Sequence, residues 1–180
     1  MMAMWVALFR GVNVGGKNLM PMAELTRVLE SLACTHVRTY IQSGNVVFGS
    51  RMSNREKLTE RVIDAVEETF GFRSPLILLT TDEFLEALKK NPFLEAVAVP
   101  KSLHFYFLAE KPKTPDLDGI EQLAISTESF CLTDRVFYLH APDGVGTSKL
   151  AARAERKLGV VATARNYATV DKIRAMIEAA

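Results

Sequence analysis

The residue types and spacing most suited to chemistry lie in RGVNVGGKN, Arg10 to Asn18. Gly11 to Lys17 follows G-x-x-x-x-G-K, in which a loop after a strand cradles phosphate with its amides and reaches it with a lysine. Three features argue against nucleotide hydrolysis here. Asn18 stands where a P-loop places the Ser or Thr that binds magnesium. Leu19, Met20 and Pro21 delay a helix that should open at that point. No other strand ends in the Asp that would hold the metal, since PLILLT ends in Thr and HFYFLAE in Glu. Two readings of the loop remain. Gly11, Gly15 and Gly16 permit an amide nest for an anion, to which Arg10 and Lys17 add charge, or they serve only the positive-φ positions of a plain turn.

A second set of polar residues falls in PDGVGTSK and TARNY. Gly144 and Gly146 precede Ser148, an expected helix cap, and Lys149 in the first turn opposes the helix dipole, as an anion-binding residue or a solubilising lysine would. Arg165 and Asn166 follow in the last expected strand. His140 ends a strand ahead of Asp143 and Ser148, which suits a Ser-His-Asp arrangement, although no G-x-S-x-G elbow accompanies it and strand-end histidines are more often structural. His36, His104 and His140 show no metal-ligand spacing, so neither a metal nor a cofactor is expected.

The elements that must position these residues read in a repeating order. MWVALF is apolar without alternation, the pattern of a strand covered on both faces. Pro21 opens a helix with Met22, Leu25, Leu29 and Leu32 along one stripe. Val37 to Gln42 and Asn45 to Phe48 form a hairpin around Ser43-Gly44. Ser53 and Glu56 form a capping box for a helix that Gly71 ends, and PLILLT is the next strand. Thr80 and Glu83 cap a short connecting helix stopped by Asn91-Pro92. The second part repeats the order: SLHFYFLA, a helix over 116–124, SFCL and VFYLH, a helix bearing Leu150, Ala154 and Leu158, VVATARN, and a last helix capped by Thr169. Two β-α-β-β-α-β units predict an α+β fold of two ferredoxin-like halves with mainly antiparallel sheets. The expected boundaries are 1–80, a helical connector over 81–101, and 102–180.

That topology brings the loop after the first strand and the hairpin to one sheet edge. Gln42, Ser43 and Asn45 are therefore expected beside Arg10, Asn13, Lys17 and Asn18. The second half places PDGVGTSK and TARNY at one edge likewise, and a pseudo-dyad would join both edges in a cleft lined by Arg10, Lys17, Lys149 and Arg165.

At 180 residues the chain can bury a sizeable core, and 48% hydrophobic with 24% charged residues excludes a disordered chain. Cys34 and Cys131 stand alone, which favours a reducing compartment over a single long-range disulfide. The opening apolar run lacks a preceding cation and is cut short by Arg10 and Asn13, unlike a signal peptide, and no run approaches a membrane span, so a cytoplasmic location is expected. Charge is segregated. Arg10, Lys17, Arg27, Arg38, Arg51 and Arg55 face only Glu24 and Glu30 in the first 55 residues, and Lys149, Arg153, Arg156, Lys157 and Arg165 face only Glu155 between 145 and 170. Such blocks can focus an anion.

At RGVNVGGKNLMPMAEL, YIQSGNVVF, NPF, PDGVGTSKL and ATARNYATV the sequence resembles the domain of unknown function 1697 family over nearly its whole length. The resemblance implies small bacterial-type proteins with two ferredoxin-like parts and no established activity. Val12 stands where the family's RGINVGG string has isoleucine, and Tyr167 where TxRNW has tryptophan, which removes an indole donor.

The leading functional expectation is a binding protein for an anionic, phosphorylated or nucleotide-like ligand at the glycine-rich loops. Nucleic acid is not favoured at pI ≈ 7.8, since such domains usually exceed pI ~9. The alternatives are an enzyme acting on a phosphorylated or nucleotide substrate and a ligand-free module that assembles through sheet edges, as a monomer or homodimer in either case.

Overall fold

A computed structural model describes residues 2–179. Two compact units divide the chain: residues through Glu86 together with those from Lys172 onward, and Ala87–Asp171.

In the first unit the order is β1 (Ala3–Phe9), α1 (Met22–Ser31), β2 (Thr35–Tyr40), β3 (Asn45–Ser50), α2 (Arg55–Phe70) and β4 (Leu76–Thr80), after which α3 (Thr81–Lys89) begins. The sheet runs β2-β3-β1-β4 with antiparallel neighbours throughout. Strand β1 is one of its two central strands, and the lack of alternation in its sequence has a direct cause. Trp5, Ala7 and Phe9 join Leu25 and Leu29 of α1 and Leu58, Val62 and Val66 of α2 in one core, while Val6 and Leu8 on the opposite face are also fully buried.

The second unit repeats this plan with β5 (Leu103–Leu108), α4 (Leu117–Glu121), β6 (Ser129–Leu132), β7 (Val136–His140), α5 (Lys149–Leu158) and β8 (Ala162–Asn166), followed by α6 (Tyr167–Glu178). Its sheet order, β6-β7-β5-β8, is the same arrangement, again antiparallel. The fold is α+β, built of two ferredoxin-like halves. Cys34 and Cys131 are free thiols.

Local sequence explains most helix starts. Thr80 N–H donates to the Glu83 carboxylate (2.8 Å) and Glu83 N–H donates to Thr80 Oγ1 (3.2 Å), the reciprocal box expected at α3. Arg55 donates to the same Glu83 oxygen at 2.6 Å, so one carboxylate ties the openings of α2 and α3. Two expected caps move. Asn54, rather than Ser53, accepts from Lys57 N–H (2.8 Å) to open α2, because asparagine caps as well as serine and starts the helix one residue later. Asn166 accepts from Thr169 N–H (3.0 Å), so α6 starts directly after β8 and Thr169 lies inside it.

The hairpin between β2 and β3 is wider than the two-residue turn read from Ser43-Gly44. Tyr40 pairs with Asn45, leaving Ile41 to Gly44 as the loop. The Asn45 amide closes it by donating to Tyr40 O (3.1 Å) and Ser43 Oγ (2.9 Å). Gly44 lies at φ +76°, and a Cβ there would stand 2.6 Å from Phe9 Cβ and 3.0 Å from Val12 Cγ2. Phe9 N–H donates to Gly44 O at 2.9 Å, so β1 can end against the hairpin only if position 44 lacks a side chain.

Gly44→Ala is expected to destabilise the protein by about 2–4 kcal/mol in urea unfolding, the sum of left-handed strain and a forced contact. Gly71→Ala has a similar φ of +78° but open space around it. It should cost only the backbone part, about 1 kcal/mol.

Candidate functional site

The glycine-rich loop is a miniature hairpin. Asn13 N–H donates to Asn18 O and Lys17 N–H donates to Val14 O, each at 3.0 Å. Gly15 (φ +57°) and Gly16 (φ +75°) form the tip, both left-handed as a type I′ turn demands. Two of the amides that a nest would present, those of Asn13 and Lys17, are thus consumed inside the loop. The P-loop resemblance in the letters is not a P-loop in space.

Three segments converge beneath this hairpin, as the topology requires. The Asn13 amide donates to Met20 O (2.9 Å) and to Gln42 O (2.7 Å), while its Oδ1 accepts from Met20 N–H (2.8 Å). Asn18 donates to Gly11 O (2.9 Å). Arg10 N–H donates to Pro75 O (2.9 Å), and Ser74 Oγ donates to Arg10 O (2.8 Å), which adds the start of β4. The expected neighbourhood of Asn13 and Gln42 is therefore present, though Gln42 contributes its backbone carbonyl to it. Asn13, Asn18, Ser43 and Asn45 brace the loop with their side chains, and Asn45 is wholly buried. These four form the framework.

The groups left outward are the side chains of Lys17 and Gln42, both exposed and without a hydrogen bond or ion pair among the described residues. Arg10 is half-buried at the base. Three apolar residues that the sequence reading passed over flank them: Val14 (65% exposed), Leu19 (64%) and Ile41 (50%). Asn13, Asn18 and Ile41 all have positive φ, at +54°, +52° and +48°. Asparagine tolerates that region, whereas a β-branched residue there is an outlier. No local signal in IQSG announces it.

In the second unit the expected group comes apart. Ser148 Oγ accepts from Ala151 N–H (3.0 Å) as the cap of α5, as expected, and Lys149 is exposed in the first turn. Gly144 has φ +89°, while Gly146 has neither a positive φ nor a close neighbour. Asp143 accepts from Thr127 Oγ1 (2.6 Å), and the His140 ring lies 6.0 Å from that of Phe93. No hydrogen bond among the described residues joins His140 to Ser148 or Asp143, so the Ser-His-Asp constellation is not assembled.

Arg165 is paired across β5 with Phe105, on the face opposite to Tyr106 and Leu139, which pack against α5. Its guanidinium is buried, donates to Thr163 Oγ1 (2.8 Å) and Ala164 O (2.9 Å), and is pushed down to about 10 by loss of solvent. It stays charged at neutral pH. It does not share a sheet face with the helix that Lys149 opens, because an odd register position on β8 turns it the other way. Asn166 spends its Oδ1 on capping α6.

Residues 2–138 match the model of the family described as "Protein of unknown function (DUF1697)". The chain belongs to that family. A solved structure described as that of conserved bacterial protein SP0830 from Streptococcus pneumoniae is similar to it, at 26% identity over 98% of this chain and 99% of that one, with a TM-score of 0.71. None of the curated proteins compared matches the chain.

Within this DUF1697 chain, the strings RGVNVGGKN and QSGNVVF have a shared physical basis: Gly44 lies under Phe9, and Asn13 binds the carbonyl of Gln42. PDGVGTSK and TARNY fall beyond the matched residues. Tyr167, at the tryptophan position of the last string, packs its ring against Phe105 at 6.0 Å. Among the described residues, no group of three or more His, Cys, Asp or Glu could hold a metal, and no helix is long and apolar enough to cross a membrane.

Two outcomes follow from these bonds. Asn13→Ala should cost about 2 kcal/mol in chemical unfolding, since Met20 N–H and two carbonyls lose their partner. Asn13→Gly should recover about 1 kcal/mol of that by relieving the left-handed backbone, so the pair separates hydrogen bonding from strain. His104, opposite Asn166 on β5, has a buried Nδ1 with no partner among the described residues, and burial lowers its pKa. The unfolded chain therefore binds the proton more readily. Stability is full above the ordinary histidine pKa of about 6.5 and declines as pH falls from there toward the folded value. Denaturation curves of His104→Gln should lack this component.

Proposed function

We propose that the glycine-rich end of the first unit binds a small anionic ligand, phosphorylated and nucleotide-like in having an apolar or planar body. The observation that carries this reading is the concentration of left-handed non-glycine backbone at one place. Asn13, Asn18 and Ile41 all adopt it around a loop braced by asparagine amides. Backbone of this kind costs free energy and gathers where a surface must hold a particular shape. The loop so held presents Lys17 and the Gln42 side chain among exposed Val14, Leu19 and Ile41, which gives charge, a hydrogen-bonding amide and an apolar flank in one patch. Among the described residues no side chain caps α1, which opens at Met22 after Pro21, so its first amides add a positive end. In this reading recognition comes from Lys17, Gln42 and the apolar flank, with the asparagines as scaffold.

The test is thermal unfolding against nucleoside phosphates, sugar phosphates and tripolyphosphate. At a hundredfold excess over Kd a true ligand adds about 2.7 kcal/mol, which should raise Tm by several degrees. The shift should vanish in Lys17→Ala, whose own Tm should match the parent's. A flat response across the panel, or an equal shift in Lys17→Ala, overturns the reading.

A further inference from the structure

The first unit has a second concave feature, at the opposite end of its sheet from the glycine-rich loop. A cavity of ≈ 670 Å³ opens where β1 and β2 begin, β3 ends and α1 finishes. That volume lies within the ~300–1,000 Å³ of typical ligand pockets. Its lining includes Leu32, Cys34, Met52 and Leu58 from the helix-covered core, and Arg51 and Arg61. Neither arginine has an ion pair or hydrogen bond among the described residues. By contrast, Arg55 of the same unit pairs with Glu83, and Arg73 with Asp64 and Glu67.

The backbone at this cavity is strained as well. Helix α1 ends in a Schellman motif: Ala33 N–H donates to Glu30 O (2.9 Å) and Cys34 N–H donates to Leu29 O (3.1 Å). The left-handed position of that motif ordinarily holds glycine, yet here it is Ala33 at φ +62°, and Ala33 lines the cavity. Cys34 is 4% exposed, and burial raises its thiol pKa, so it lines the wall as a neutral apolar group. Thr35 Oγ1 donates to Met2 Sδ (3.0 Å), fixing another flexible apolar side chain on the lining. Among the described residues of the lining Glu30 is the single acid, against Arg51 and Arg61, so they carry a net positive charge.

We propose that this cavity binds a small monocarboxylic acid with an apolar tail, the carboxylate held by Arg51 and Arg61 and the tail against Leu32, Cys34, Met52 and Leu58. Guanidinium suits a carboxylate because its planar fork donates two parallel hydrogen bonds. A tail is needed because the rest of the lining gains nothing from a bare ion. The repulsion from Glu30 limits affinity without reversing the preference.

Octanoate is the probe, with octylamine and 1-octanol as tail-matched controls, measured by calorimetry and by methionine-methyl NMR on the full chain. Octanoate should bind at least about tenfold tighter than either control, and Arg51→Ala or Arg61→Ala should each weaken it by about tenfold. Glu30→Gln should tighten it. The Met2 and Met52 methyl resonances should move while those of Met20 and Met22 stay. Lys17→Ala should leave octanoate binding unchanged, which separates this site from the one at the glycine-rich loop. Equal binding of the three probes, indifference to both arginine substitutions, or unmoved Met2 and Met52 resonances would overturn the proposal.

Discussion

The architecture of the glycine-rich end depends on one close approach, that of Gly44 to Phe9. Strand β1 is buried on both faces and hydrogen-bonded on both edges, so its exit is fixed by neighbours rather than by its own loop. Phe9 N–H reaches Gly44 O only because position 44 has no Cβ to collide with Phe9 and Val12. Once the hairpin is seated there, Gln42 O lies where the Asn13 amide can take it, and Asn13 in turn holds Met20 at the entrance to α1. A chain of contacts from core to surface thus shapes the loop that carries Lys17.

The asparagines of that loop show how one residue type can serve two ends. An amide side chain is both donor and acceptor, which suits recognition of a polar ligand, but the same property lets it replace missing backbone partners in irregular chain. Asn13, Asn18 and Asn45 take the second role. Their side chains tie the loop and the hairpin together through carbonyls, a hydroxyl and an N–H of these segments, and the outward groups gain a defined position as a result. The two concave or cationic regions of the first unit then differ in kind. One is a projecting hairpin with exposed apolar flanks, and the other is a hollow at the far end of the sheet, floored by the core and lined by two arginines that have no ion pair among the described residues.

In the second unit the same topology carries different detail. Arg165 and Lys149 come to one end of the sheet in order of sequence, but pairing of Arg165 with Phe105 puts its side chain on the face away from α5. Burial then leaves it with the Thr163 hydroxyl and the Ala164 carbonyl among its partners. Charge blocks along a chain say little about a shared site until register assigns each side chain a face.

The halves and their strand order were legible in the sequence because period and punctuation are local properties. MWVALF lacks alternation, helical stripes follow it, and the Thr80-Glu83 box and Ser148 cap act within one helical turn. The edge at which Arg10, Asn13 and Gln42 meet followed from that topology alone. Caps with a near-equal rival, Ser53 beside Asn54 and Thr169 near Asn166, were misplaced because neighbouring residues of similar capping power differ only by small free energies that context decides. Three features required the tertiary structure: Ile41 in a left-handed conformation, the donation of the Asn13 and Lys17 N–H groups to carbonyls of their own loop, and the cavity lined by Arg51 and Arg61. Each arises between segments distant in sequence, where packing supplies the energy that overrides local preference, and no short window of residues contains that term.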